Sequence, residues 1–201
     1  MSTVMIDYGV GNIGSLMGAL DAIKMDYILS GDKAVIESAT RLILPGVGAF
    51  AAAMNELEKR DLVGILKKKA KAGTPMIGIC LGMQLLFEES AENGFCKGLG
   101  LIKGTVEPIP ATVKIPHMGW NRLIFNLEDD ILKHNAPDDY VYYVHSYYVN
   151  TATENIVAYS DYGIRVPGII RQGNIIGMQF HPEKSGDVGL NLLKAFKEQS
   201  Q

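Results

Sequence analysis

Cys80 lies between two glycines in the stretch Gly78-Ile79-Cys80-Leu81-Gly82. The spacing G-x-nucleophile-x-G is typical of a sharp turn between a strand and a helix, which lifts the reactive side chain above the edge of a sheet. The stretch therefore predicts a cysteine nucleophile and an enzyme whose reaction passes through an oxyanion. The competing interpretation of this stretch alone is a buried structural cysteine between two chance glycines.

A thiol nucleophile needs a base, and His181 is the best placed of the four histidines for that role. It follows the apolar run at residues 175–180 and precedes Pro182-Glu183. Imidazole can accept and return a proton near neutral pH. The proline favours an extended segment, in which Glu183 would lie on the same side as His181 and hold its ring. The alternative is a polar strand end that leads into a helix cap.

A glycine-rich turn, Pro45-Gly46-Val47-Gly48, follows the apolar run at residues 42–44. Backbone N–H groups at such a strand end can hold an oxyanion, so the N–H groups of Val47 and Leu81 are the predicted oxyanion hole. A phosphate-binding loop is the competing interpretation, but the Lys and Ser/Thr of a P-loop are missing. Two other histidines, His117 and His145, follow apolar residues and are open to interpretation as core or interface histidines.

The elements that must position these groups alternate between strands and helices in the first half of the chain. Apolar runs predict strands at residues 3–8, 27–29, 42–44 and 75–79, and helical patterns lie at residues 13–25, 32–38, 49–60, 61–72 and 82–89. Because parallel strands end on one edge of a sheet, a histidine at a strand end can reach the Cys80 turn.

The second half favours extended segments, with strands predicted at residues 105–109, 140–149, 156–162, 168–171 and 175–180. Gly173-Asn174 predicts a hairpin turn, and residues 187–199 predict a final amphipathic helix. We therefore expect a single α/β domain over residues 1–201, with a mostly parallel central sheet flanked by helices and an additional antiparallel β region.

Composition narrows the class of partner. The 201 residues are 47% hydrophobic and 20% charged, with a net charge of -3. This balance favours a globular protein that binds a small molecule, and it disfavours nucleic acid and membrane partners. Two cysteines without metal-ligand spacing predict a reducing cytoplasmic location and no structural metal. No cofactor is expected. No apolar run is long enough for a membrane span, and the N-terminus lacks a secretion signal.

Three motifs in order resemble the class I, or triad-type, glutamine amidotransferases: Pro45-Gly46-Val47-Gly48, residues 78–84 and His181-Pro182-Glu183. Within that superfamily, residues 7–12, 116–121, 145–148 and 181–185 are similar to the glutaminase subunits of imidazole glycerol phosphate synthases. The likeness covers nearly the whole chain. Residues 91–97 and 126–138 carry no diagnostic signature.

The resemblance implies a specific reaction, in which Cys80 attacks the side-chain amide of L-glutamine and forms a glutamyl thioester. His181 would act as acid and base, with Glu183 orienting it, and water would then release glutamate. Positions that bind glutamine in the family match Gly48, Gln84, Ser146 and Tyr147.

The resemblance also implies a heterodimer with a (β/α)8-barrel synthase subunit, which uses the ammonia in histidine biosynthesis. The matching interface positions are Asn12, Met118, Trp120 and Lys184. Trp120 could instead be a core aromatic, and Lys184 an ordinary surface charge. Rival functions are an amidotransferase subunit for another pathway, such as pyridoxal phosphate, anthranilate or guanylate synthesis, a related cysteine hydrolase and a non-catalytic regulatory subunit.

Overall fold

The chain alternates strands and helices up to residue 85 and consists mainly of strands from there to residue 178, in a computed structural model that describes residues 2–199. The strands are β1 (Thr3–Ile6), β2 (Tyr27–Ser30), β3 (Arg41–Leu44), β4 (Met76–Ile79), β5 (Phe87–Ser90), β6 (Cys96–Lys97), β7 (Ile102–Pro108), β8 (His117–Arg122), β9 (Ile124–Phe125), β10 (Tyr140–His145), β11 (Tyr147–Asn150), β12 (Ile156–Asp161), β13 (Arg165–Gln172) and β14 (Ile175–Met178). The α-helices are α1 (Ile13–Ala22), α2 (Lys33–Ser38), α3 (Phe50–Lys59), α4 (Val63–Lys71), α5 (Leu81–Leu85) and α6 (Gly186–Lys197).

The central sheet has eight strands in the order β2-β1-β3-β4-β14-β13-β12-β9. The first five strands in this order, β2, β1, β3, β4 and β14, run parallel to one another. Strands β13, β12 and β9 then extend the sheet with antiparallel pairing. Every residue of β1, β3, β4 and β14 is buried, as expected for parallel strands covered on both faces. The predicted fold class is therefore confirmed.

Helices cover both faces of this sheet and create two hydrophobic layers. On one face, Val4 and Ile6 of β1 pack in a cluster that includes Phe50 of α3. On the other face, Met5 packs in a cluster that includes Phe196 of α6. The alternation follows from the two-residue period of a strand, and each buried apolar side chain contributes about 1.5–3 kcal/mol to stability.

The carboxyl half adds two smaller sheets beside the main one. A two-stranded ribbon joins β8 and β10 in antiparallel register, with His117 opposite His145. A four-stranded sheet has the order β11-β7-β5-β6. The predicted strand at residues 140–149 is thus divided at Ser146, since β10 pairs with β8 and β11 pairs with β7.

The helix predicted at residues 82–89 is wrong in its second half. The helix ends at Leu85, and Phe87–Ser90 forms β5, which pairs with β6 and β7. Phe87 is fully buried there, so tertiary strand pairing overrides the helical preference of the local sequence. Similarly, the first helix stops at Ala22 rather than at residue 25, and Lys24 adopts a left-handed backbone conformation just beyond it.

The hairpin predicted at Gly173-Asn174 is present. Gln172 of β13 pairs with Ile175 of β14, and Gly173 has a φ of 59°. The left-handed conformation required in such a two-residue turn is one that glycine adopts without strain. Among residues 2–199, no helix has the length and apolar character needed to cross a membrane.

Candidate active site

Cys80 forms the turn between β4 and α5. Its backbone has φ 54° and ψ -114°, a conformation that is strained for a residue with a side chain. The Cys80 N–H donates to the carbonyl oxygen of Met178 at 2.7 Å, and the Cys80 carbonyl accepts from the N–H of Met83 at 3.0 Å. These bonds hold the turn at the carboxyl edge of the sheet, as the glycine-flanked pattern predicts.

The two flanking glycines allow three backbone segments to come together at this turn. A Cβ atom on Gly78 would lie 2.5 Å from the carbonyl oxygen of Gly82, and one on Gly82 would lie 1.9 Å from the carbonyl oxygen of Leu44. Neither position has room for a methyl group, so glycine is required by close packing at both.

We expect Gly82→Ala to lower the free energy of unfolding by about 3 kcal/mol or more, because the new methyl group overlaps rigid backbone. Urea denaturation measures the change. Gly18→Ala is the control, since Gly18 is exposed within α1 and its Cβ would meet open space. That variant should be unchanged or more stable by about 1 kcal/mol. An unaltered urea midpoint for Gly82→Ala would contradict the packing described for the turn.

His181 lies at the same edge of the sheet, three residues beyond β14. Strands β14 and β4 are parallel neighbours with Met178 opposite Ile79, so the chain after each strand enters the same space. The His181 N–H donates to the Tyr142 carbonyl at 2.9 Å, and Ser185 Oγ donates to the His181 carbonyl at 2.7 Å. The structure therefore places the His181 and Cys80 side chains in the lining of the same cavity, where they interact electrostatically.

Glu183 holds the other side of the imidazole ring. Its Oε1 accepts a hydrogen bond from His181 Nδ1 at 2.7 Å, and both side chains are almost fully buried. The second oxygen, Oε2, is buried without a protein partner among the described residues. The expectation that Pro182 keeps this segment extended is wrong, because Pro182–Lys184 forms a 3-10 turn. Proline is well suited to the first position of a helical turn, where its missing N–H needs no partner.

The partners of His181 control its charge. Burial alone would lower the pKa of His181, but the hydrogen bonds and negative charges of Cys80 and Glu183 outweigh burial and raise the pKa to about 9. The imidazole is therefore protonated at neutral pH. A protonated imidazole beside a thiol favours the thiolate, which is the nucleophilic form of cysteine.

We expect Glu183→Gln to move the alkaline limb of the pH–rate profile to lower pH. Activity that needs protonated His181 is lost as the pH rises through about 9, and removal of the Glu183 charge lowers that pKa. Turnover should fall by about 10²-fold. Initial rates of glutamate release across the pH range measure both effects. Glu198→Gln, at the Lys133 and His134 ion pairs, is the control. An unmoved alkaline limb in Glu183→Gln would argue against this electrostatic role.

The loop Pro45-Gly46-Val47-Gly48 packs against the Cys80 turn. A Cβ atom on Gly46 would lie 2.8 Å from the N atom of Gly82, and Gly48 has a φ of 94°. Tyr8 supports the loop, since its hydroxyl donates to the Pro45 carbonyl at 2.7 Å. Burial, and then the charge of Cys80, raise the pKa of Tyr8, so its hydroxyl stays protonated as a donor. Sequence analysis did not single out Tyr8, although it lies in the motif at residues 7–12.

A cavity of about 360 Å³ opens over Cys80, a volume suited to a small ligand. The predicted oxyanion residues and the four residues predicted to bind glutamine all line it. Its lining comprises Asn12, Val47, Gly48, Cys80, Leu81, Gln84, Glu92, Val144, His145, Ser146, Tyr147, His181 and Lys184. Glu92 is the acidic residue of this set, and sequence analysis missed it because residues 91–97 match no motif. Its Oε2 accepts from the N–H of Phe50 at 2.6 Å, which fixes the carboxylate at the first turn of α3.

The predicted interface residues lie around the mouth of this cavity and on β8. Asn12 and Lys184 are exposed and line the mouth. Met118 and Trp120 are 60% and 56% exposed, so the alternative interpretation of Trp120 as a core aromatic is wrong. Met118 pairs in register with Val144, a lining residue, which places this exposed apolar surface next to the cavity.

A larger cleft of about 830 Å³ lies at the opposite end of the sheet, near the start of β4. Its lining residues include no cysteine or histidine, and Asp129 within it is paired with Arg171. Within residues 2–199, no three potential metal ligands come together in a group. The groups suited to nucleophilic chemistry are thus concentrated at the Cys80 cavity.

Comparison with known proteins gives consistent matches. A model of the family "Glutamine amidotransferase class-I" matches residues 4–198. The chain is 50% identical over 193 residues to the "Imidazole glycerol phosphate synthase subunit HisH" of Bacillus cereus, which covers 96% of this chain and 92% of the relative. The protein of the same name from Bacillus anthracis is 50% identical over 195 residues, with the same coverage.

Solved structures share the fold at lower identity. A crystal structure of a glutamine amidotransferase matches with a TM-score of 0.75 and 19% identity, over 96% of this chain and 98% of that one. The structure of PurLQS from Thermotoga maritima matches with a TM-score of 0.73 and 19% identity, over 97% and 96% of the two chains. At this identity, the structural matches show a common architecture.

Proposed function

This chain belongs to the class I glutamine amidotransferase family, and from that premise we propose that it hydrolyses L-glutamine to L-glutamate and ammonia as the glutaminase subunit of an imidazole glycerol phosphate synthase. The observation that carries the proposal is that Cys80 and His181 line one cavity, with Glu183 hydrogen-bonded to His181 Nδ1. The relatives of about 50% identity, whose names include that synthase, support histidine biosynthesis over the rival amidotransferase pathways.

The first half of the reaction releases ammonia. The Cys80 thiolate attacks the side-chain amide carbon of glutamine, and a C–S bond forms while the carbonyl oxygen becomes an oxyanion. Protonated His181 gives its proton to the amide nitrogen, so the C–N bond breaks and neutral ammonia leaves. Val47 and Leu81 line the cavity, and their backbone N–H groups would stabilise the oxyanion.

The second half regenerates the enzyme. His181, now neutral, takes a proton from water, and the resulting hydroxide attacks the thioester carbon. The C–S bond breaks, the thiolate and the protonated imidazole are restored, and the acid product loses its proton to solvent as glutamate. Glu183 keeps the ring oriented in both halves through its hydrogen bond to Nδ1.

The same cavity offers groups that match the amino-acid end of glutamine. Gln84 uses both N–H bonds of its amide inside the protein, which leaves its oxygen for the substrate ammonium group. Glu92 supplies a negative charge in the lining, opposite in sign to that group. Gly48, Ser146 and Tyr147 complete the proposed binding site.

We expect Glu92→Gln to raise the KM for glutamine about tenfold, because a charge-assisted contact with the ammonium group is lost. The side-chain oxygen of the substituted glutamine at position 92 can still accept from the Phe50 N–H, so the fold should be preserved. Steady-state kinetics of glutamate release provide the measurement. Glu89→Gln on β5, whose side chain borders a different surface hollow, should retain the KM of the original chain. Equal KM values for both variants would remove Glu92 from the proposed site.

The relatives are named as subunits, which supports a partner synthase subunit for this chain. We propose that the partner is a (β/α)8-barrel that contacts Asn12, Met118, Trp120 and Lys184, and that ammonia passes to it through a closed interface. Ammonia released into bulk water would be diluted and mostly protonated, so enclosure preserves the reactive base. A cytoplasmic location fits this proposal, since Cys80 and Cys96 are free thiols.

The test compares glutamate release by the chain alone, with the partner, and with the partner plus its acceptor substrate. We expect turnover to rise when the partner is present and to rise further with the acceptor. Unchanged turnover across the three conditions would refute the coupling. Covalent labelling of Cys80 by a glutamine-mimicking electrophile separates the glutaminase from a non-catalytic regulatory subunit, which would not be labelled even in the complex.

A further inference from the structure

Two buried histidines have no part in the proposed chemistry. His117 and His145 are 2% and 7% exposed, and they lie opposite each other on β8 and β10. The His117 ring is stacked between those of Tyr143 and Tyr162, with centroid distances of 4.5 and 3.9 Å. Because both faces of the ring are covered, its two nitrogens can form hydrogen bonds only in the plane of the ring.

The contacts at these edges determine which nitrogens carry hydrogen. His145 Nδ1 is 2.8 Å from the Tyr147 carbonyl oxygen, which can only accept, so Nδ1 carries the hydrogen. In neutral His145, Nε2 is then an acceptor, and His117 Nδ1 donates to it at 2.9 Å. His117 Nε2 in turn accepts from the Asn121 amide Nδ2 at 3.3 Å.

The orientation of Asn121 is fixed independently. Its Oδ1 accepts from the N–H of Arg122 at 2.8 Å, and its Nδ2 also donates to the Asp161 carbonyl at 3.1 Å. Burial lowers the pKa of His117 to about 4 and, with smaller contributions from other groups, that of His145 to about 3. Both rings are therefore neutral at neutral pH. The hydrogen bonds then run in one direction, from Asn121 to His117, from His117 to His145, and from His145 to the Tyr147 carbonyl.

Further hydrogen bonds connect the Tyr147 carbonyl to residues of the Cys80 cavity. The Tyr147 carbonyl also accepts from Gln84 Nε2 at 3.1 Å, and the same nitrogen donates to Gln179 Oε1 at 3.0 Å. Gln179 Nε2 then donates to Cys80 Sγ at 4.0 Å. These hydrogen bonds connect β8, through both histidines, to the Tyr147 carbonyl oxygen, which accepts from His145 on one side and from the Gln84 amide on the other.

We propose that His117 and His145 are positioning residues that hold the Gln84 amide toward bound glutamine and couple strand β8 to the binding site. The inference rests on the proposed function for the identity of the ligand. Strand β8 also carries the exposed Met118 and Trp120, so a displacement of this strand by a partner would reach Gln84 through the same contacts.

Two substitutions at one position separate hydrogen bonding from packing. His117→Phe keeps an aromatic ring between the two tyrosines but removes the donor to His145. His117→Asn loses the ring but can keep a donor near the Nδ1 position. In the full chain with its synthase partner, we expect His117→Phe to raise the KM for glutamine about tenfold with little change in kcat. His117→Asn should recover most of that loss.

A purely structural role for His117 predicts the reverse order, with the asparagine variant more impaired. That order, or a KM equal to that of the original chain in His117→Phe, would overturn the inference while the glutaminase function stands. If the original chain itself released no glutamate, the proposed function would fail instead.

Imidazole nitrogen NMR on the full chain tests the same geometry without any activity. We expect His117 and His145 both to be neutral at neutral pH with hydrogen on Nδ1, the less common tautomer in solution. A hydrogen on Nε2 of either ring, or a positively charged ring, would overturn the inference, because the described donor directions would then be impossible.

Discussion

Cys80→Ala is expected to abolish glutamine-dependent synthesis, with a loss of about 10⁴-fold or more, while the complex still uses added ammonium salts. The alanine variant has no nucleophile, so no thioester forms, and the remaining binding groups give only weak catalysis. Ammonia supplied from solution bypasses this step, because it reaches the synthase partner directly. Glutamate release and product formation, each measured with glutamine and with ammonium salt, provide the two readouts.

Cys96→Ala is the matched control for this experiment. Cys96 lies on β6, is partly exposed, and does not line the Cys80 cavity. We expect its variant to use glutamine as the original chain does. Glutamate release that persisted in Cys80→Ala would eliminate Cys80 as the nucleophile. Loss of ammonium-dependent synthesis in the same variant would instead indicate damage to the complex.

His181→Asn is expected to reduce kcat/KM for glutamine by about 10³-fold, because the amide nitrogen then leaves without a proton donor. A second effect follows from electrostatics. Loss of the His181 ring removes a positive charge that stabilises an attacking sulfur anion, so the variant should also react more slowly with an alkylating reagent at neutral pH. Steady-state kinetics and the alkylation rate of Cys80 measure the two losses separately.

His134→Asn serves as the comparison. His134 is partly exposed and pairs with Glu198, well outside the lining of the cavity. Its variant should keep both rates. If His181→Asn lost turnover but kept the alkylation rate, His181 would act in proton transfer alone. If it kept both, the assigned acid and base would be wrong.

His181 and His145 line the same cavity but differ in charge, since His181 is protonated and His145 is neutral at neutral pH. His181 faces a thiol and a carboxylate, which favour the protonated ring and raise its pKa to about 9. His145 is buried and faces a carbonyl and a neutral imidazole, and the nearby charge of His181 lowers its pKa further. Neighbouring groups, rather than residue type, therefore separate a proton carrier from a neutral positioning residue.

Local sequence patterns were sufficient to predict the fold class and the location of the candidate nucleophile. Apolar runs that are buried on both sides produce parallel strands, and these strands necessarily end on one edge of the sheet. Gly78 is needed for a contact with Gly82, four residues further along the chain. Such short-range constraints are visible in the order of residues along the chain.

Other features depended on contacts between distant parts of the chain. The second half of the helix predicted at residues 82–89 is a strand because β7 pairs with it. Glu92 reaches the cavity by accepting a hydrogen bond from Phe50, and His117 meets His145 only when β8 and β10 pair. Pro182 begins a turn rather than an extended segment, yet Glu183 still reaches His181.

The physical reason for this division is the range of the interactions. Backbone preference and hydrophobic period act over a few residues and are encoded locally, whereas strand pairing, buried hydrogen bonds and charge states depend on which surfaces meet after folding. The candidate nucleophile could thus be identified from the sequence. The protonation of His181, and the neutral pair that orients Gln84, were decided by tertiary packing.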